Sequence, residues 1–328
     1  MEDVDLFWIA GSLHGRFPLL APPVRAAVDL ALVDIAWKSY VRDAGPGDTG
    51  PLFSGWQNAD HILLSEDPRA GAVLAWLASR DGPLRPAATL LQRARGASGT
   101  RFSKTELAML ADAGDVLGDA GVMLNAAPPV DNLVTAVTAL RDDWRFASSA
   151  PARSAELGGA WAINLALATL PAVAPQPGIV TREALRADQP FDRTVLVRSW
   201  AAAAHGTYEL VRLIQDRLRD SSSILESFSK NARAHGLIGA LTALEIMRRP
   251  NIKRGWELSE AGTTMVIRQL VEKGIVRYED RGMIALALPK KRRHIKAEMS
   301  HDSAVLEFDK AMALADRVLK SGAQKHGQ

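Results

Sequence analysis

The sequence predicts a mainly α-helical protein. It divides into an irregular helical N-terminal body (residues 1–220), a C-terminal winged helix-turn-helix (221–298), and a terminal helix and tail (299–328). Three observations predict this. Apolar residues recur at helical spacing through nearly everything before residue 235, and no alternating run there is long enough to build a sheet. From His235 to Lys296 the pattern becomes helix, turn, helix and two-strand ribbon, ending in Pro289-Lys290-Lys291-Arg292-Arg293-His294-Ile295-Lys296. Charge is also uneven: 15 Lys+Arg face 7 Asp+Glu between Lys230 and Ser300, against 25 and 30 elsewhere, although the net charge is only +3. An acidic body joined to a basic module is the asymmetry expected when one part meets nucleic acid.

Within the body, Pro22-Pro23 open a helix over Val24–Val41, which Gly45-Pro46-Gly47-Asp48-Thr49-Gly50-Pro51 breaks. Asp67-Pro68 can start a helix reaching about Arg80, and another runs from Leu84 to Arg95. Ser103 and Glu106 stand at capping-box spacing and open a helix expected to end near Gly114 or Gly118. Further helices are expected at Asp131–Trp144, Ala155–Leu170 and Thr194–Arg219. The Pro-rich Pro171–Gly178 marks a sub-boundary near 171–180, and Ser221-Ser222-Ser223 punctuates the chain again, with Ser223 and Glu226 at capping-box spacing.

In the C-terminal module the first helix is expected from His235 to Arg249, with Leu237, Ile238, Leu241, Leu244 and Met247 inward and Pro250 ending it. Asn251-Ile252-Lys253 reads as a short strand. Arg254–Ala261 reads as the second helix, with Trp256, Leu258 and Ala261 partly buried and Gly262 as the turn. The third helix starts at Thr263 or Thr264 and stops at Lys273, where Gly274 supplies a left-handed residue; capping at Ser259 instead would carry it through Gly262. Val266, Ile267, Leu270 and Val271 form its apolar face. Thr264, Met265, Arg268 and Gln269, with Glu272, form the outer face and are the expected base readers. Ile275–Tyr278 and Met283–Leu288 make the ribbon, joined by the turn Glu279–Gly282. Lys253, Arg254, Arg277, Arg281, Lys290, Lys291, Arg292 and Arg293 are the expected phosphate contacts. The segment 300–320, with Val305, Leu306, Phe308, Met312, Leu314 and Val318, reads as an amphipathic helix. It would pack on the body or pair with its copy in a homodimer suited to a two-fold operator.

Composition excludes several alternatives. Zero Cys removes disulfides, thiolate metal sites and a cysteine nucleophile, and fits a reducing compartment. No apolar run is long enough for a membrane span, and the acidic start Met1–Asp5 is unlike a secretory signal, so a cytoplasmic location is expected. None of His14, His61, His205, His235, His294, His301 and His326 stands four residues from another, and no phosphate-binding Gly loop or nucleophile elbow is present. Neither a cofactor nor a catalytic residue is therefore expected. Asp60-His61 and Glu66-Asp67 read as surface or structural groups, and Trp8, Trp37, Trp56, Trp76, Trp144, Trp161 and Trp200 as core. The alternatives to a duplex-binding regulator are a winged helix that docks another protein, a basic run that is only a solvated linker, and an enzyme within the body.

Residues 237–288, with Arg249-Pro250 after the first helix, the string Gln269–Arg277 and the Arg281-Gly282 turn, resemble the helix-turn-helix module of a family of uncharacterised, often plasmid-borne alphaproteobacterial proteins. In that family the module follows a helical domain related to Fic proteins. The resemblance implies DNA binding by a transcriptional or plasmid-maintenance regulator. The His-Pro-Phe and Gly-Asn-Gly-Arg residues of Fic catalysis are absent, so it implies no AMP transfer.

Overall fold

The computed structural model describes residues 17–44, 61–96, 101–119, 130–146, 159–170, 178–181, 183–185, 192–221 and 233–287. Residues 1–288 group as one compact unit and residues 289–328 as a second, which lies outside the described residues. The first unit is mainly helical, with one small sheet.

Helix α1 (Pro22–Ala44) is its centre. From Ala27 to Asp43 it is buried on nearly every side, so it has no solvent stripe. Helices α2 (Arg69–Ser79), α3 (Arg85–Arg95), α6 (Ala160–Thr169), α7 (Arg193–Asp220) and α8 (Arg233–Leu244) all pack on it. Helix α4 (Lys104–Asp119) joins α6 to α5 (Val130–Phe146). Local chemistry sets the helix starts. Ser103 Oγ accepts from the amide of Glu106 at 3.2 Å while Glu106 Oε2 accepts from the amide of Ser103 at 2.7 Å, the reciprocal box expected at that spacing. Asp67 Oδ1 accepts from the amide of Arg69, and Asp192 Oδ1 from that of Thr194, both at 2.8 Å. Helix α4 runs past both Gly114 and Gly118 to Asp119, because neither glycine leaves the helical region and a Cβ at either would meet open space.

Trp37, Tyr40, Phe102 and Trp161 form an aromatic cluster between α1, α6 and the entry to α4, with Tyr40 edge-on to Trp161 at 5.2 Å and Phe102 stacked on Trp161 at 5.6 Å. Trp76 and Trp200 are also buried, as expected for core residues. Trp8, Trp56 and the side chain of Trp144 lie outside what is described, as do Pro171–Pro177 and Ser222–Glu226.

Two polar nodes lie inside this helical mass. Asp34 of α1 accepts from His61 Nδ1 at 2.9 Å, from the amide of Ile62 at 2.8 Å and from Lys38 Nζ at 2.9 Å. Asn164 of α6 donates through Nδ2 to Val180 O, Asp43 Oδ2 and Ser39 Oγ, and its Oδ1 accepts from the amide of Val180 at 2.9 Å. Both nodes tie a loop to α1 where apolar packing alone would leave its buried backbone groups unsatisfied.

At the N-terminal end of α1, burial pushes the Asp29 carboxyl up to about 6 against the opposing pull of Arg25, whose Nε donates to both its oxygens. The unfolded carboxyl titrates near 3.8, so the folded chain holds the extra proton between about pH 4 and 6 and loses stability as pH rises through that window. Asp29→Asn should leave stability unchanged below about pH 4 and raise it by about 1–2 kcal/mol above about pH 6, read from urea midpoints. Equal midpoint shifts at both extremes would contradict this account.

Candidate nucleic-acid interface

After α8 the chain forms β1 (Ile246–Arg248), α9 (Arg249–Gly255), α10 (Glu260–Glu272), β2 (Val276–Glu279) and β3 (Met283–Leu286). The sheet order is β1-β3-β2, antiparallel throughout, with Met247 opposite Ile284 and Tyr278 opposite Ile284 from the other side. Leu237, Ile238, Leu241, Leu244, Val266, Ile267 and Leu270 of the helices and Met247 of β1 are buried, as the apolar pattern predicts.

Several boundaries differ from those read in the sequence. The first helix stops at Leu244 because Glu245 takes a left-handed φ of 63°, and Ile246–Arg248, expected as helix, pairs instead with β3. Pro250, expected to end a helix, sits in the first turn of α9, where its missing N–H leaves no bond unmade. Asn251-Ile252-Lys253 is therefore helix, not strand, and the second helix ends at Gly255. Gly262 lies inside α10 and makes no turn. Ser259 caps that helix, its Oγ accepting from the amide of Gly262 at 3.0 Å, so the register starting at Ser259 holds and a start at Thr263 or Thr264 does not. Ala261 is exposed; Trp256 and Leu258 are half-buried. Gly274 is the expected left-handed stop with φ 69°, its amide bonding to Val271 O and that of Ile275 to Leu270 O.

The structure brings the expected base readers onto one face of α10. Thr264, Met265, Arg268 and Glu272 are exposed there and Gln269 is half-buried; the Met265 side chain is 50% accessible. Much of the face is already in internal contacts. Thr264 Oγ1 accepts from Arg249 Nη2 at 2.6 Å and donates to Glu260 O at 2.9 Å. Glu260 holds Arg249 at 2.5 Å and Lys253 at 3.0 Å, and the Lys253 hydrogen bond, then the charges of Arg249 and Lys253, keep its carboxyl below the usual range. Arg268 stands 3.7 Å from Glu272, and Arg277 of β2 is paired with Glu279 at 2.5 Å.

Of the remaining expected phosphate contacts, Arg281 is exposed at the hairpin tip, where it and Gly282 take φ of 59° and 71°. It has no carboxylate partner among the described residues. Arg254 points the other way: Nε donates to Ala94 O and Nη2 to Arg95 O, both at 3.0 Å, closing the carbonyl end of α3. Lys290, Lys291, Arg292 and Arg293 lie outside the described residues.

The residue that sequence reasoning missed is Asn251. It is buried, donates through Nδ2 to Ala94 O at 3.1 Å and accepts through Oδ1 from the amide of Arg248 at 3.2 Å. Pro250 followed by an amide side chain is a helix-start signal and could have placed it. Beside it a Cβ on Gly255 would come within 3.0 Å of Ala94 Cβ, so α9 lies close against α3. On the opposite flank Arg217 of α7 reaches Thr242 O and Glu245.

His61 pairs with Asp34; Asp60 lies outside the described residues. Among the described residues no three His, Asp or Glu side chains gather as a metal site, and no helix is long and apolar enough to cross a membrane. No protein-family model matches the chain, and no curated protein matches it in sequence.

Proposed function

We propose that residues 233–287 are a winged helix-turn-helix that binds duplex DNA, with α10 reading base edges and the β2–β3 hairpin as the wing, in a transcriptional or plasmid-maintenance regulator. The observation that carries this reading is the order helix, strand, helix, helix, strand, strand with sheet order β1-β3-β2, in which, among the described residues, the polar side of α10 is exposed and the arginine at the hairpin tip has no carboxylate partner. The resemblance of residues 237–288 to helix-turn-helix modules agrees with it. In this reading Thr264, Met265, Arg268 and Gln269 meet bases. Lys253, Arg277, Arg281 and the run Lys290–Arg293 meet phosphates, and Arg254 acts from behind by fixing α9.

Two of these cations would exchange a carboxylate for a phosphate on binding, Lys253 leaving Glu260 and Arg277 leaving Glu279, while Arg268 would leave Glu272 for a base edge. Affinity should therefore fall steeply with salt. With the full chain, Arg268→Ala is expected to lose about 1–3 kcal/mol on the preferred duplex and far less on random duplex. Arg281→Ala should weaken both alike and flatten the salt slope by about one. A gel-shift series over salt checks both, after selection of the preferred duplex from a random pool; equal losses for Arg268→Ala on the two duplexes remove it from base readout.

A second reading, a module that docks another polypeptide, is favoured by Met265 and Tyr278, 50% and 60% accessible on the same unit. Its mark would be retention of no duplex at low salt.

A further inference from the structure

We propose that the groove between the carbonyl end of α3 and the start of α9 is a binding site for a phosphorylated ligand, separate from the face of α10. The groove holds about 620 Å³ and is lined on the body side by Leu63, Ser65, Glu66, Arg95 and Gly96, and on the other by Arg248, Pro250, Asn251 and Arg254. Three guanidinium groups thus share it with one carboxylate.

What sets these arginines apart is how they are held. On the outer side of α9 and α10 the cations are matched to acids: Arg249 and Lys253 to Glu260, Arg268 to Glu272. In the groove two of the three are held by neutral carbonyls. Arg95 donates through Nη1 to Ile62 O and Ser65 O and through Nη2 to Asp67 O, at 2.6 to 2.8 Å. Arg254 spends Nε and Nη2 on Ala94 O and Arg95 O, leaving Nη1 without a hydrogen bond among the described residues. Arg248 is exposed and has no carboxylate partner among them. Carbonyl bonds fix the Arg95 and Arg254 guanidiniums in place without cancelling their charge; Asp67 acts on Arg95, so the open positive charge of the groove is that of Arg254 and Arg248.

Gly96 lets this happen. Its φ of 88° suits glycine, and a Cβ there would stand 3.1 Å from Arg254 Nε, crowding the guanidinium off the helix end. The donors left open, Arg254 Nη1 and the exposed Arg248 guanidinium, suit the negative charge and acceptor oxygens of a phosphoryl group. The volume falls within the range of about 300–1,000 Å³ usual for small-ligand sites. Body and module each contribute a wall, so an occupant bridges the two.

The test is calorimetric titration of the full chain with inorganic pyrophosphate. Saturable binding is expected. Arg248→Ala, at an exposed position that supports no packing, should weaken it at least about tenfold with the unfolding midpoint unchanged. Glu66→Gln should tighten it, and Arg268→Ala should leave it as it is. Absence of saturable binding overturns the site, as does binding that Arg248→Ala and Glu66→Gln both leave unaltered. A duplex added to the pyrophosphate complex then identifies the source: displacement means the phosphoryl group comes from nucleic acid backbone, and retention means a free phosphorylated small molecule. Because Arg268→Ala is expected to spare pyrophosphate, loss of this site and loss of base reading by α10 are separate results.

Discussion

Asp34→Ala is expected to lower stability by about 3–5 kcal/mol, enough to leave many single domains half unfolded at ambient temperature. Asp34 lies inside α1, and three donors converge on its carboxylate: His61 Nδ1, Lys38 Nζ and the amide of Ile62. Alanine removes the buried acceptor of all three, and the segment carrying His61 and Ile62 loses its anchor to the central helix. Asp34→Asn should cost less, because an amide oxygen can still take the Ile62 proton. Urea unfolding followed by circular dichroism checks the pair; equal losses would place the cost in packing and not in the bonds.

The same residue fixes an acid limb. Burial raises the Asp34 carboxyl, but His61, Lys38 and the Ile62 amide together outweigh burial and hold it below the usual value of 3.8. An unfolded chain therefore takes up this proton before the folded one does. The contribution is complete above about pH 4 and fades as pH falls through the folded value. In Asp34→Ala the pH profile of stability should be flatter on that side.

Asn164→Ala is expected to cost about 3–5 kcal/mol, for a different reason. One side chain satisfies both the N–H and the C=O of buried Val180, and also donates towards Asp43, whose other oxygen accepts from Arg42 Nε at 2.6 Å. Alanine orphans the amide of Val180, leaves its carbonyl only the longer 3.4 Å bond from Arg42 Nη2, and withdraws a donor from a buried carboxylate. Asn164→Asp keeps the shape but brings a second acid beside Asp43, and it should be at least as destabilising at neutral pH while recovering in mild acid. Thermal melts at about pH 5 and 8 would separate that electrostatic part from the loss of shape.

Much of the helical body was legible because its signals are local. Ser103 and Glu106 declare a helix start by spacing alone, and α10 shows its apolar side through Val266, Ile267 and Leu270. What could not be read is what depends on a distant partner. Ile246–Arg248 has a helical pattern and becomes strand because β3, some 35 residues on, offers it an edge. Lys253 and Arg254 are adjacent cations with the same apparent role, yet one turns to Glu260 and the other to Ala94, because neighbours on a helix point about 100° apart. His61 takes an acid 27 residues away, a pairing that no local spacing announces.

Helix α8 rests on α1 closely enough that a Cβ on Gly239 would touch Ala27, and α9 is bolted to α3 through Asn251 and Arg254. The segment from 233 to 287 thus shares its interior with its neighbours. Such an arrangement cannot swing like a bead on a string. A displacement of α10 is passed through α8 to α1, and a disturbance of that central rod returns by the same path.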